Sequence, residues 1–139
     1  MSFDWNDYIT LARKLLYETN KGPIEEAYNR SVISRSYYAV FCISRVKAEL
    51  ESYRPRNPGD RGVHEKVISY YKNSSKNEEK RIGKLLDALR RERNKADYER
   101  YESIDTNLAE GAILNADEVL ALFEKVKIQR ENTCRIRYR

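Results

Sequence analysis

Residues Tyr37 to Ile43 read YYAVFCI, a run that is apolar or aromatic on every side of whatever element it forms. The chain around it, from Ile24 to about Tyr53, holds no glycine or proline, which predicts one long helix. A helix with no solvent face through its middle belongs at the centre of a bundle, or is covered on its outer side by a second subunit.

Outward from this helix the remaining segments are amphipathic. Between about Asp4 and Thr19, the residues Trp5, Tyr8, Ile9, Ala12, Leu15 and Leu16 share one side at helical spacing, and Asn20-Lys21-Gly22-Pro23 stops the helix. Arg54 to Gly62 (RPRNPGDRG) carries two of the three prolines and two of the five glycines, and is expected to be a mobile basic loop. A short helix follows, with Val63, Val67, Ile68 and Tyr71 on one face, then the polar connector KNSSKNEE. A fourth helix runs from about Glu79 to Tyr98. The last begins after Asp105 or Thr106, either of which can cap it, and carries Leu108, Ala112, Ala116, Val119, Leu120, Phe123 and Val126. Gly111 weakens it slightly. Residues 130–139 are basic without a long apolar stripe and read as a frayed helix end or flexible tail after a domain of residues 1–129.

A length of 139 residues suits one core. The fold expected is therefore all-α, a single-domain antiparallel bundle of four to five helices. A formal charge of +5 is compatible with a polyanionic partner and with an ordinary soluble protein. The two cysteines, Cys42 and Cys134, are far apart and His64 is the sole histidine, so neither a disulfide framework nor a metal site is expected. No cofactor-binding motif is present either. The acidic start MSFDWNDY is unlike a secretion signal and no apolar run is long enough to cross a bilayer, so a cytoplasmic location is expected.

Two arginines interrupt this plan. On the fourth helix the apolar line Ile82, Leu85, Leu86, Leu89 runs into Arg93, which points where a leucine was due. A charge on such a face must pair with a carboxylate, meet a partner surface or face a cleft, since leaving it dry and alone costs several kcal/mol. Asp97, one turn on, is the obvious local carboxylate. On the central helix, Arg35 opens the line Arg35, Ala39, Cys42, Val46, Leu50, Tyr53. It either snorkels to water or joins Arg93 on a phosphate. Eleven tyrosines against three phenylalanines add many ring hydroxyls that need partners, and Tyr37, Tyr38, Tyr98 and Tyr101 flank the two arginines. His64 is the side chain whose ordinary pKa suits proton transfer near neutrality.

The segment SRSYYAVFCISRVKAEL (Ser34 to Leu50), then His64 after a loop, then RNKADY (Arg93 to Tyr98) resembles the HEPN domain superfamily, named from higher eukaryotes and prokaryotes nucleotide-binding. The closest likeness is to small stand-alone prokaryotic members with S-R-x-Y-Y-A and R-x-x-A-D-Y motifs. The resemblance implies an antiparallel helical bundle, commonly a homodimer, whose interface in many members forms a cleft for metal-independent RNA cleavage. It implies catalytic candidates at Arg93, Asn94, Asp97, Tyr98 and His64, and RNA or nucleotide contacts at Arg35, Tyr38, Arg93 and Lys95. The histidine that the nuclease motif places four to six residues after the arginine is absent here, where Asp97, Tyr98, Glu99 and Arg100 stand. The function expected is an RNA-directed protein of the bacterial toxin-antitoxin or defence type, acting as an endoribonuclease. The alternative is a non-catalytic nucleotide-, RNA- or partner-binding module associated with a minimal nucleotidyltransferase, with Tyr98 and Tyr101 as candidates for nucleotide attachment; the partners expected are that transferase or an antitoxin.

Overall fold

The computed structural model describes residues 2–137. Five helices form: α1 (Asn6–Tyr17), α2 (Glu25–Lys47), α3 (Val63–Lys72), α4 (Asn77–Tyr98) and α5 (Thr106–Arg137), with a short 3-10 turn at Gly22–Ile24. No strand occurs among the described residues, and no helix there is long and apolar enough to cross a membrane.

The all-round apolar run explains the arrangement. Tyr37, Ala39 and Val40 are completely buried and Phe41 nearly so, because α1, α4 and α5 each pack directly on α2. α3 leans mainly on α4. On α1 the buried residues are Ile9, Ala12 and Leu16, and on α3 they are Val67, Ile68 and Tyr71. The register expected for α5 shifts at its start: Ala109 is buried while Leu108 stays 40% exposed. Asp105 is its cap, its Oδ1 accepting the Leu108 amide at 2.9 Å. The basic segment from Arg130 continues α5 as helix to Arg137.

The central helix is shorter than its sequence suggests. It ends at Lys47 in a Schellman motif, with the Leu50 amide bonding the Arg45 carbonyl and the Glu49 amide bonding that of Val46. Glu49 takes the left-handed position, with φ 58°, where glycine is usual. Leu50 and Tyr53 therefore leave the helical line on which the sequence places them. The loop that follows is laced together: the Asp60 carboxylate accepts the Arg56 and Asn57 amides at 3.0 Å each, and the Tyr53 hydroxyl donates to the Arg61 carbonyl at 2.6 Å.

Two contacts set where α3 and α4 lie. The first turns of α2 grip the corner between α4 and α5. Arg30 donates to the carbonyls of Lys95, Ala96, Glu99 and Glu102, and the Glu26 carboxylate accepts the Ile104 amide. Of these, the Ala96 carbonyl lies in the last turn of α4, where a helix runs out of its own amide donors. Farther up α4, Gly83 allows α3 to come so close that a Cβ there would lie 2.6 Å from the Lys72 amide nitrogen. That neighbour is backbone and cannot swing aside. Gly83→Ala is expected to force the helices apart and cost about 1–3 kcal/mol, despite the better helix propensity of alanine. A thermal melt in which this variant matches or exceeds the parent would contradict the close packing.

Candidate functional site

Arg93 does stand in the leucine line of α4. It is only 6% exposed, directly after the buried Leu89. Its nearest carboxylate, Asp97, is 3.7 Å away, beyond a hydrogen bond. The charge is met instead by rings: the guanidinium carbon lies 5.3 Å from the centroid of Tyr37, 5.1 Å from Tyr38 and 5.8 Å from Tyr98. Its Nε is buried with no acceptor. Asp97 in turn accepts the Ser34 hydroxyl at 3.3 Å, and Arg35 Nη2 reaches that same hydroxyl at 3.4 Å. A polar line thus joins Arg35 on α2 to Arg93 on α4.

On the other flank of the same tyrosines a cleft of about 500 Å³ opens between α1, α2 and the start of α3. Trp5, Tyr8 and Tyr38 supply rings, while Arg35, Arg45 and Arg54 supply charge. No carboxylate is among the described residues that line it. Arg35 is sandwiched at 4.7 Å from the centroid of Tyr8 and 5.4 Å from that of Tyr38, which fixes its position with most of its N–H donors uncommitted. Arg45 and Arg54 are partly spent, since they donate to carbonyls at Leu50, Glu51 and Tyr53 and so hold the following loop against the cleft.

His64, at the start of α3, forms one wall. Its ring stacks on Phe41 at 4.2 Å, and its Nδ1 lies 2.6 Å from the Tyr37 hydroxyl. Burial pushes the Tyr37 hydroxyl far above its ordinary range, so it keeps its proton and donates it to Nδ1. The remaining ring proton is thereby assigned to Nε2. Burial, followed by the charges of Arg90, Arg93 and Arg45, pulls the His64 pKa down to about 4. At neutral pH His64 is uncharged, with one nitrogen accepting and the other a donor. Cys42, in the same cleft, is pushed up to about 11 by burial and stays a thiol.

The helical period separates the other candidates. Asn94 and Lys95 lie a quarter-turn or more around α4 from Arg93 and line a different groove, of about 670 Å³, facing Asn107 and Gly111 of α5. Tyr98 closes α4 with 74% of its surface exposed, beside Arg93. Tyr101 sits in the next turn, 93% exposed, with the Arg100 guanidinium as its neighbour. Arg35, His64 and Arg93 are thus gathered around the rings of Tyr37 and Tyr38, with Asp97 and Tyr98 joined through Arg93, whereas Asn94, Lys95 and Tyr101 lie apart. Sequence reasoning missed Tyr8, Arg45 and Arg54 as cleft residues and Tyr37 as the partner of His64. A signal did exist: Arg35, Tyr38, Cys42 and Arg45 follow the spacing i, i+3, i+7, i+10 of a single helix face. No family model, curated protein or solved structure matches the chain.

The His64 shift has a sign that can be checked. The unfolded histidine titrates near 6.5 and the folded one near 4, so on acidification the unfolded chain takes up a proton that the folded site refuses. Stability should fall as pH drops through this window, and level off below it as far as His64 is concerned. His64→Phe keeps a ring against Phe41 and removes the titration. Its melting temperature should decline less steeply between these pH values than that of the parent, the carboxylates common to both chains cancelling in the comparison. Parallel curves would contradict the assignment.

Proposed function

We propose that the chain is an HEPN-like binding module that holds a nucleotide or an RNA end in the Arg35 cleft and breaks no bond there. The observation that carries this reading is a wall of arginine charge and aromatic rings without a carboxylate among its described lining residues. A phosphate would sit on Arg35 through charge-assisted hydrogen bonds, and a base would lie against Trp5 and Tyr8. His64 Nε2–H adds one neutral donor.

The HEPN likeness draws support from the meeting of its two motif segments. Ser34 on one bonds Asp97 on the other, and Arg93 rests on Tyr37 and Tyr38. The start of α2 gripping the end of α4 through Arg30 is what an antiparallel bundle of this kind would give. Metal-independent cleavage, the other activity the resemblance implies, asks for a base near the 2′-hydroxyl and an acid near the leaving oxygen. His64 has its acceptor nitrogen filled by Tyr37 and a pKa near 4, while Arg93 lies behind tyrosine rings. Binding is therefore favoured over cleavage. A homodimer, an antitoxin or a minimal nucleotidyltransferase is the partner class consistent with this reading, and Tyr98, exposed beside a guanidinium, is the better placed of the two tyrosines for nucleotide attachment.

Isothermal titration with a nucleoside 5′-monophosphate tests the proposal. Arg35→Ala should weaken binding about tenfold or more, Arg35→Lys less, because the loss follows the charge-assisted bonds. A mixed RNA pool incubated with the parent protein should remain intact. Absence of monophosphate binding would sink the reading, and RNA cleavage abolished by Arg93→Ala would replace it with the nuclease one.

A further inference from the structure

We infer that the turn between α3 and α4, with the exposed end of α5, forms a second surface that tracks the phosphates of single-stranded nucleic acid. It is built from residues other than those of the Arg35 cleft and does not depend on what that cleft binds. A groove of about 570 Å³ is lined by Arg61, Lys66, Lys76 and Arg130 around Tyr70. The carboxylate among its described lining residues is Glu79, which is 7% exposed and faces Lys76 at 3.7 Å. Arg61 also meets Glu65, at 3.7 Å on the solvent side, an exposed pair that leaves most of its donors available. A smaller adjoining hollow, of about 230 Å³, shares Tyr70, Glu79 and Arg130 and adds Lys47, Lys127 and Glu131. Across both, six cations stand against two carboxylates, Glu79 and Glu131.

Two further observations choose the partner. Tyr70 is 46% exposed in the middle of these charges, while its ring is steadied edge-on against the buried Tyr71 at 5.1 Å. An aromatic platform set among arginine and lysine, with hydroxyl and amide side chains beside it at Ser69 and Asn73, is suited to a base and its backbone. A lipid surface would instead call for protruding apolar side chains on a flat or convex face. The second observation is α5 itself. From Lys127 to Arg135 every residue is exposed, so this stretch of helix buries no face in the core, yet it brings Arg130 to the groove and Lys127 to the adjoining hollow. A polyanion gives that exposed, cation-bearing helix something to hold.

Fluorescence anisotropy of the full chain with labelled oligo-uridylate and oligo-thymidylate of about twelve nucleotides, titrated across about 50–200 mM salt, reads the proposal. Neutralising three exposed cations together (K76Q, K127Q and R130Q) should lower the slope of log K against log salt by about 2, at roughly 0.7 per lost phosphate contact on a single strand. Affinity at the lowest salt should fall about tenfold or more. Tyr70→Ala should weaken binding about tenfold with the slope unchanged, since stacking releases no counterions. Equal binding of the two oligomers assigns recognition to the shared backbone, and a preference for the ribose form adds a 2′-hydroxyl contact; both support the surface. Monophosphate binding in the Arg35 cleft should be untouched by all four substitutions. Failure of that binding alone counts against the proposed function and leaves this inference standing. A salt slope in the triple variant equal to that of the parent overturns the inference, as does a parent that ignores both oligomers. Capture by phosphatidylserine vesicles without oligomer binding also overturns it, in favour of a membrane.

Discussion

The guanidinium of Arg93, buried where a leucine would pack, is the constraint around which α2, α3 and α4 are ordered. It has no hydrogen-bonding carboxylate, so its charge rests on the faces of Tyr37 and Tyr38 and on the longer-range field of Asp97. That in turn determines how the rings stand. With its face turned to the cation, Tyr37 extends its hydroxyl to His64, and burial, reinforced by the charges of Arg90, Arg93 and Arg45, keeps that histidine neutral. Tyr38 is shared between Arg93 on one flank and Arg35 on the other. The cleft is therefore shaped from behind by a residue that scarcely reaches solvent.

Much of this was legible in the chain. The YYAVFCI run required a central helix, and the break at Arg93 in the α4 leucine line marked an unusual environment at the right residue. The end of α2 was not legible, because the signal for a left-handed cap is glycine and here Glu49 takes that conformation. Without it, the helical spacing carries Leu50 and Tyr53 onward along a helix that has already turned away. At the start of α5, Leu108 and Ala109 differ by one position, and hydrophobicity alone favours the larger residue for the core, while the buried stripe Ala112, Ala116, Val119 and Phe123 takes in Ala109 instead.

The site was harder to read than the fold. Placing Asn94 and Lys95 with Arg93 followed the motif along the chain, but neighbours in a helix point in different directions, and these two face α5. Conversely, the cleft residues come from α1, α2, the loop after it and the start of α3, and only packing brings Tyr8 against Arg35. The tautomer of His64 depends on a tyrosine 27 residues earlier, a pairing with no local trace.

α3 is a strut of ten residues carrying His64 at one end and Tyr70 toward the other. The bare backbone at Gly83 presses its far end onto α4, and the Tyr71 hydroxyl fastens it to the Ser44 carbonyl of α2 at 2.6 Å. So short an element, clamped at both flanks, has no slack to slide when one end is loaded. Occupancy at its two ends should then be additive, without cooperativity passing through the protein, and any gain for a ligand that spans both would come from tethering alone.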